Sequence, residues 1–385
     1  MSKKTSVFLA RDLSRAEAQR RGVCVARKKR IDRKAWKPVK LGDVLKVCHG
    51  KCQHSVESKA GKYPILATSG EIGRTDQFLY DKPSVLIGRK GTIDKPQYID
   101  TPFWTIDTLF YTKIADGYSP KFMFYLCQMV DWASLNEASG VPSLSANRIE
   151  SLEVCVPQDF DKQLRIVKSL DAVESHINTL QALISKYEAI KKATVKLLLK
   201  PKDGWLQIRL GDIGEVSMCK RILKNQTSAT GDVPFYKIGT FGKQPDAYIS
   251  RPLFEDFKKR FSYPKVGDVL LSAAGTIGRT VVFTGEDAYF QDSNIVWIAN
   301  DEMIVSNRFL NVIYSQLDWQ TENGGTVSRL YNANIRNAVI STPDLNEQKR
   351  IVATLDTIDN TIKGLKAQLE KSQAIKHGVM AFFFG

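Results

Sequence analysis

Two cysteines and two histidines within seven residues, Cys48-His49-Gly50-Lys51-Cys52-Gln53-His54, are the first place where this chain could do metal chemistry. Thiolate and imidazole are the ligands zinc takes, but a closed site needs a second ligand pair, and none stands elsewhere in the sequence. The usual catalytic signatures are missing too: there is no G-x-x-x-x-G-K-[ST] loop, no G-x-G-x-x-G after a strand, no G-x-S-x-G elbow and no H-E-x-x-H. What remains is a set of glycine turns next to cations. Gly70-Glu71-Ile72-Gly73-Arg74-Thr75 and Gly275-Thr276-Ile277-Gly278-Arg279-Thr280 are two, and Arg89-Lys90 beside Gly91 is a third. Glycine lets a backbone turn tightly and approach a polyanion, and a neighbouring guanidinium can bond a phosphate or a guanine edge. Ordinary hairpin turns carrying surface arginines are the alternative. Two polar loops, Ser139 to Asn147 and Gly324 to Asn334, are rich in Ser, Asn, Thr and Arg and have the same two readings.

The elements that must position these groups occur twice. Leu41-Gly42-Asp43-Val44 returns as Leu210-Gly211-Asp212-Ile213, and Gln163-Leu164-Arg165-Ile166-Val167 returns as Gln348-Lys349-Arg350-Ile351-Val352. The offset is 170 from Pro64 to Pro234 and 184 from Gly91 to Gly275, so the second copy carries about 14 extra residues between Pro234 and Gly275. A period of this size is far beyond that of a solenoid and marks a duplicated domain. In the second copy Ser217-Met218-Cys219-Lys220-Arg221 replaces the cysteine and histidine cluster, which argues against zinc.

Within each copy, short apolar runs rich in β-branched and aromatic residues, such as Ser84-Val85-Leu86-Ile87 and Asn294-Ile295-Val296-Trp297-Ile298, predict strands. One helix per copy is expected at Lys121–Leu126 and Arg308–Tyr314, giving an α+β fold. Trp36, Trp205 and Trp297 are expected as core aromatics. After Pro157 and Pro343 the pattern changes. Ile166, Leu170, Val173, Ile177, Leu180, Ile184 and Tyr187 step by four and three, as do Ile351, Leu355, Ile358, Ile362, Leu365, Leu369 and Ser372. This is the a/d seam of a coiled coil. The economical arrangement packs the two helices antiparallel with an approximate two-fold axis; the alternative folds each helix back on its own globular part.

The 385 residues carry a net charge of +15, and residues 1–30 hold ten Lys or Arg against Asp12 and Glu17. That segment is either a solvated tail or an arm for phosphates or a partner. No apolar run reaches the ~18 residues of a membrane span, no signal peptide is evident, and the six cysteines lack a disulfide spacing. A cytoplasmic protein with free thiols and no membrane association is expected.

The duplication, the Leu-Gly-Asp pairs after a Trp, the glycine turns, Gln291-Asp292-Ser293-Asn294, Ser139-Gly140-Val141-Pro142-Ser143-Leu144 and the Gln-x-Arg-Ile-Val helix starts resemble, in their order, the specificity subunit of type I restriction-modification enzymes. The resemblance covers residues 36 to 385. It implies two target-recognition domains, residues 31–157 and 201–343, after a basic N-terminal segment, 1–30. Helical spacers, 158–200 and 344–385, would act as ruler and docking surface. It also implies double-stranded DNA as ligand, two modification (methyltransferase) subunits as partners, and restriction or translocase subunits joining through the complex. Such a subunit has no cofactor, no metal and no catalysis of its own.

On that resemblance the stretch after the first strand leads toward DNA, so Lys51 and its counterparts Lys220 and Arg221 are candidate phosphate contacts. Arg74, Arg89, Lys90 and Arg279 at the glycine turns, and Ser143, Asn147, Arg329 and Asn332 in the polar loops, complete the candidate DNA-binding set. Leu170, Val173, Ile177, Leu180, Leu355, Ile358, Ile362 and Leu365 are the candidate coiled-coil core. The apolar ends Leu197–Leu199 and Phe382–Phe384 are candidates for contact with the modification subunits, with packing on the N-terminal segment as the alternative for Phe382–Phe384. The extra cations of the second copy, Lys243, Arg251, Lys258, Lys259 and Arg260, and its different loops make unlike half-sites the expectation. Two rival readings are a fragment of a fused restriction and methylation enzyme, and a coiled-coil adaptor that binds no specific DNA.

Overall fold

The computed structural model describes residues 36–319 and 329–385. The basic segment 1–30, Cys24 and residues 324–328 of the second polar loop lie outside the described residues. The first copy runs β1 (Trp36–Lys40), α1 (Leu41–Val44), β2 (Leu45–Cys48), β3 (Tyr63–Ala67), β4 (Gly70–Thr75), β5 (Ser84–Gly88), β6 (Gln97–Ile99), β7 (Trp104–Thr105), β8 (Leu109–Ile114), α2 (Pro120–Cys127), α3 (Ala146–Glu150), β9 (Glu153–Pro157) and the long α4 (Phe160–Leu198). The second copy runs β10 (Leu206–Arg209), β11 (Gly214–Ser217), β12 (Val233–Tyr236), β13 (Tyr248–Ile249), α5 (Arg251–Arg260), β14 (Val269–Ser272), β15 (Thr280–Val282), β16 (Tyr289–Phe290), β17 (Ile295–Asn300), α6 (Asn307–Tyr314), α7 (Asn332–Asn337), β18 (Val339–Thr342) and the long α8 (Leu345–Phe384).

Each copy builds the same three sheets. In the first they are β2-β8-β5-β6, β4-β3-β7 and the pair β1-β9; in the second, β11-β17-β14-β15, β13-β12-β16 and β10-β18. The middle strands are continuous apolar runs because both faces are covered. Val85, Ile87 and Phe110 join the core that holds Phe122 and Tyr125, while Leu86, Leu109 and Tyr111 point the other way to Leu66 and Phe103. In the second copy Val269, Leu271, Val296 and Ile298 face one core and Leu270, Ile295 and Trp297 the other. Trp36 and Trp297 are buried as expected, and Trp205 is half-buried against its core.

The repeated Leu-Gly-Asp motif is structural. Leu41 and Leu210 are fully buried. A Cβ on Gly42 would lie 2.9 Å from Glu150 Cβ, and one on Gly211 would lie 3.1 Å from Arg336 Cβ, so glycine admits the close approach of α3 and α7. The aspartates accept hydrogen bonds from Lys40 N (3.2 Å) and Arg209 N (2.9 Å).

The chain forms two compact units, the first comprising residues up to Gln181 with Ala367–Gly385, the second Ala182–Lys366. Each unit therefore holds the start of one long helix and the end of the other. The helices start where Asp159 and Asp344 cap them: Asp159 Oδ1 accepts from Asp161 N and Lys162 N, and Asp344 Oδ1 from Asn346 N and Glu347 N. One turn later sits a fully buried glutamine. Gln163 accepts from Ser119 N at 2.8 Å and donates to Pro157 O at 3.0 Å; Gln348 accepts from Ser306 N at 2.9 Å and donates to Pro343 O at 2.9 Å. These bonds tie each helix to the N-terminus of α2 or α6.

The seam is as the four-three spacing predicts. Leu170, Ile177, Leu180, Leu355 and Ile362 are buried, and Val173, Ile358 and Leu365 are half-buried. In the first unit Glu174 pairs with Lys376; in the second Lys191 pairs with Asp359 at 2.6 Å and Glu188 with Lys366 at 2.7 Å. Partner numbers rise on one helix as they fall on the other, so the helices run antiparallel.

The helix ends need a correction. Phe384 packs between Trp36 and Phe122, with ring centroids 6.5 and 5.3 Å away, and Leu198 and Leu199 pack on the core of the second unit. These side chains are consumed inside the fold, whereas Leu197 and Phe382 stay exposed. The thiols need one as well. Cys48, Cys52, Cys127 and Cys219 are free, but Cys155 on β9 is disulfide-bonded. Among the described residues no helix is long and apolar enough to cross a membrane.

Candidate nucleic-acid interface

In the first unit four separate segments meet at the turn that leads into β8. Lys51, just past β2, is fixed by its backbone: its N–H donates to Thr105 O and its carbonyl accepts from Trp104 Nε1, both at 2.9 Å. Only glycine fits beside it, since a Cβ on Gly50 would stand 1.9 Å from Ile106 O. The turn after β5 donates Arg89 N (2.9 Å) and Lys90 N (3.2 Å) to Thr108 O, and Arg89 Nη1 donates to Asp107 O at 3.1 Å. The polar loop then closes on that turn: Gly91 N bonds Pro142 O, Leu144 N bonds Arg89 O, and Lys90 and Ser143 form an isolated antiparallel bridge. Lys51, Arg89, Lys90 and Ser143 thus share one locality, with Asn147 exposed on the first turn of α3, whose N-cap is Ser145.

The side chains around Lys51 disperse. The His49 ring meets Phe110 edge-on at 5.0 Å, Cys48 Sγ lies 3.9 Å from Lys46 O, and Cys52 is exposed. Among the described residues no three His, Cys, Asp or Glu gather as a metal site requires.

The second unit repeats the convergence. Ala273 N bonds Asn294 O and Leu330 N bonds Ala273 O, each at 2.8 Å, and Ala274 bridges Arg329 as Lys90 bridges Ser143. Arg329 Nη2 donates to Ser293 O at 3.2 Å, and Arg221 Nε donates to Asp292 Oδ2 at 2.8 Å. Together these segments wall a cleft of about 500 Å3 whose lining holds four cations, Arg221, Lys224, Lys237 and Arg329, against the carboxylate of Asp292. Lys224 and Lys237 had no signal in the sequence beyond their charge. Asn332, half-buried, opens α7 next to this loop.

Other candidates are placed differently. Lys220 Nζ sits 5.2 Å from the centre of the Phe261 ring, at the end of α5. Arg279 Nη1 donates to Phe241 O at 3.1 Å and is half-buried, so it braces the inserted segment. Arg74 is not brought to the convergence. It pairs with Glu71 at 3.0 Å and faces Pro64 across the ladder, whereas the opposite, Ala67–Gly70 end of that hairpin is the one bonded by Gln97 Nε2, and Thr68 there lies under Gly91. Four residues of strand, about 13 Å, separate the two ends. Of the extra cations, Arg251 and Lys258 share Asp287 and Arg260 pairs with Asp256.

Sequence similarity decides what this doubled arrangement is. The model of the type I restriction modification DNA specificity domain matches residues 33–189 and again 202–371. The chain belongs to this family. It is accordingly a DNA specificity subunit, the component of a type I system that supplies sequence recognition and not catalysis. A candidate type I restriction enzyme specificity subunit of Haemophilus influenzae is 37% identical over 358 residues, spanning 88% of this chain and 92% of that protein. Among solved structures, the type I restriction-modification S subunit from M. genitalium superposes with a TM-score of 0.64 at 13% identity, covering 94% of this chain and 98% of the other. A second, from a study of complex assembly and conformational transition of the type I system, gives 0.54 at 18% identity over 91% and 96%. Both share the fold of this specificity subunit.

Proposed function

We propose that the specificity subunit reads a bipartite, asymmetric target in double-stranded DNA, one half-site per recognition domain, residues 31–157 and 201–343. Residues 158–200 and 344–385 serve as helical spacers, and 1–30 as an accessory basic segment. It works in the cytoplasm, docks two modification (methyltransferase) subunits, and takes on restriction or translocase subunits through that complex. The observation that carries this reading is the repeated convergence of four loops on the turn before β8 and before β17. Unlike polar side chains on matching scaffolds are what two different half-sites call for.

Lys51, Lys90 and Lys220 are assigned to phosphates, since an ammonium on a fixed backbone positions a duplex without reading it. Ser143, Asn147 and Asn332 are assigned to groove edges or sugars. Arg89, Arg221, Arg279 and Arg329 contribute field and scaffold, their guanidinium groups being engaged within the fold. Arg74 is left to its ion pair.

The test is selection of a randomised duplex library by the full chain assembled with its modification subunits. Two unlike half-sites separated by a fixed spacer are expected. Binding that stays sequence-blind and disappears with salt would leave only electrostatic attraction and end the proposal.

A further inference from the structure

Both units clamp the same carbonyl with a guanidinium, and they do so from different loops. The offset of 186 between Leu109, the first residue of β8, and Ile295, the first of β17, aligns Asp107 with Ser293 and Thr108 with Asn294. Asp107 O is held by Arg89, from the glycine turn, and Ser293 O by Arg329, from the polar loop. A clamp made twice from non-equivalent residues shows that the position of the turn matters, not the arginine.

The second turn is held further. Ser293 has φ 59°, a left-handed backbone uncommon for a residue with a side chain, which persists only where surroundings enforce it. Arg221 fixes Asp292, Gln291 Oε1 accepts from Ile238 N at 2.9 Å, and Asn294 N donates to Asp292 O at 2.7 Å. Once these bonds are made, the Asn294 carboxamide is left with no intramolecular hydrogen bond among the described residues. It is half-buried and lines the basic cleft.

We propose that Asn294 is a base-reading side chain of the second unit, that it pairs with an adenine, and that Arg221 and Arg329 are positioning residues for it. This rests on the chain reading duplex DNA. A carboxamide presents a donor and an acceptor side by side, matching the N7 acceptor and N6 donor of adenine in the major groove. Thr108, its counterpart in the first unit, has one hydroxyl and a methyl and cannot form that pair, so the two units read unlike bases at corresponding positions.

The full chain with its modification subunits is selected on randomised duplex DNA, and base frequencies are compared for wild type, Asn294→Ala, Asn294→Asp and Arg329→Ala. Wild type should favour adenine about tenfold or more at one position of one half-site. Asn294→Ala should flatten that position alone. Asn294→Asp, which can only accept, should turn it to cytosine, whose N4 donates. Arg329→Ala should blur the same position with an unchanged thermal midpoint, a result that general destabilisation would not give. Asn294→Asp with wild-type preferences throughout, or with both half-sites altered, overturns the assignment. A wild type that enriches no bipartite motif overturns the underlying reading of function instead.

Discussion

Replacing Gln348 with leucine keeps the side chain's approximate volume and removes its amide from a fully buried site. The oxygen accepts from Ser306 N at 2.9 Å, and the nitrogen faces Ile304 O at 2.8 Å, Pro343 O at 2.9 Å and Thr342 Oγ1 at 3.0 Å. With two hydrogens for three acceptors, the amide satisfies one N–H and about two oxygens. Each buried group left unpaired costs about 1–3 kcal/mol. Three such groups, less about 1 kcal/mol gained from the apolar leucine, put the loss at about 2–8 kcal/mol. For a unit spanning Ala182–Lys366 this corresponds to a fall in Tm of roughly 4–32 °C. Scanning calorimetry of the full chain measures the fall. Hydrogen exchange should localise early opening to the first turn of α6, where Ser306 is the N-cap. Gln163→Leu should act the same way on the first unit, and Gln348→Glu should fail to rescue, because an ionised carboxylate has no donor for the carbonyls. A shift of Tm below about 2 °C would show that the buried amide does not hold helix and globular part together.

Gly50→Ala should cost about 1–3 kcal/mol by overpacking against Ile106 O and displace the turn before β8, so selection should show the first half-site degraded and the second intact. Replacing residues 36–157 with the equivalent segment of a relative should change one half-site only, as methylation mapping or selection would reveal. Arg74→Ala should leave DNA affinity within about twofold in an anisotropy titration, because its exposed ion pair with Glu71 stands at the end of the β3–β4 hairpin remote from the first unit's convergence and is worth only ~0–1 kcal/mol. Burial holds the thiols of Cys127 and Cys219 up to about 12, so at pH 8 they stay protonated. Iodoacetamide should therefore label Cys52 in the native chain, and label Cys127 and Cys219 only after denaturation, as read by mass spectrometry.

Local periodicity determined what could be read before any coordinates. Strands buried on both faces must be continuous apolar runs, and a helix seam must step by four and three; Val85-Leu86-Ile87 and the Leu170-to-Leu180 series meet those demands within a few residues of chain. The duplication followed because both copies obey the same demands in the same order. Partnership across the chain was not legible. Arg221 and Asp292 are 71 residues apart and Arg329 and Ser293 are 36 apart, and no local pattern records that each arginine finds its acceptor inside the fold. Nor does it record that Phe384 packs beside Trp36, or that Asn294, a member of a motif with no assigned role, lines the basic cleft. Exposure and hydrogen bonding in loops depend on which backbone carbonyls happen to lie within about 3 Å, and the packing of both sheets and both helices sets those distances. Sequence named the cations; tertiary structure decided which of them are bonded within the fold.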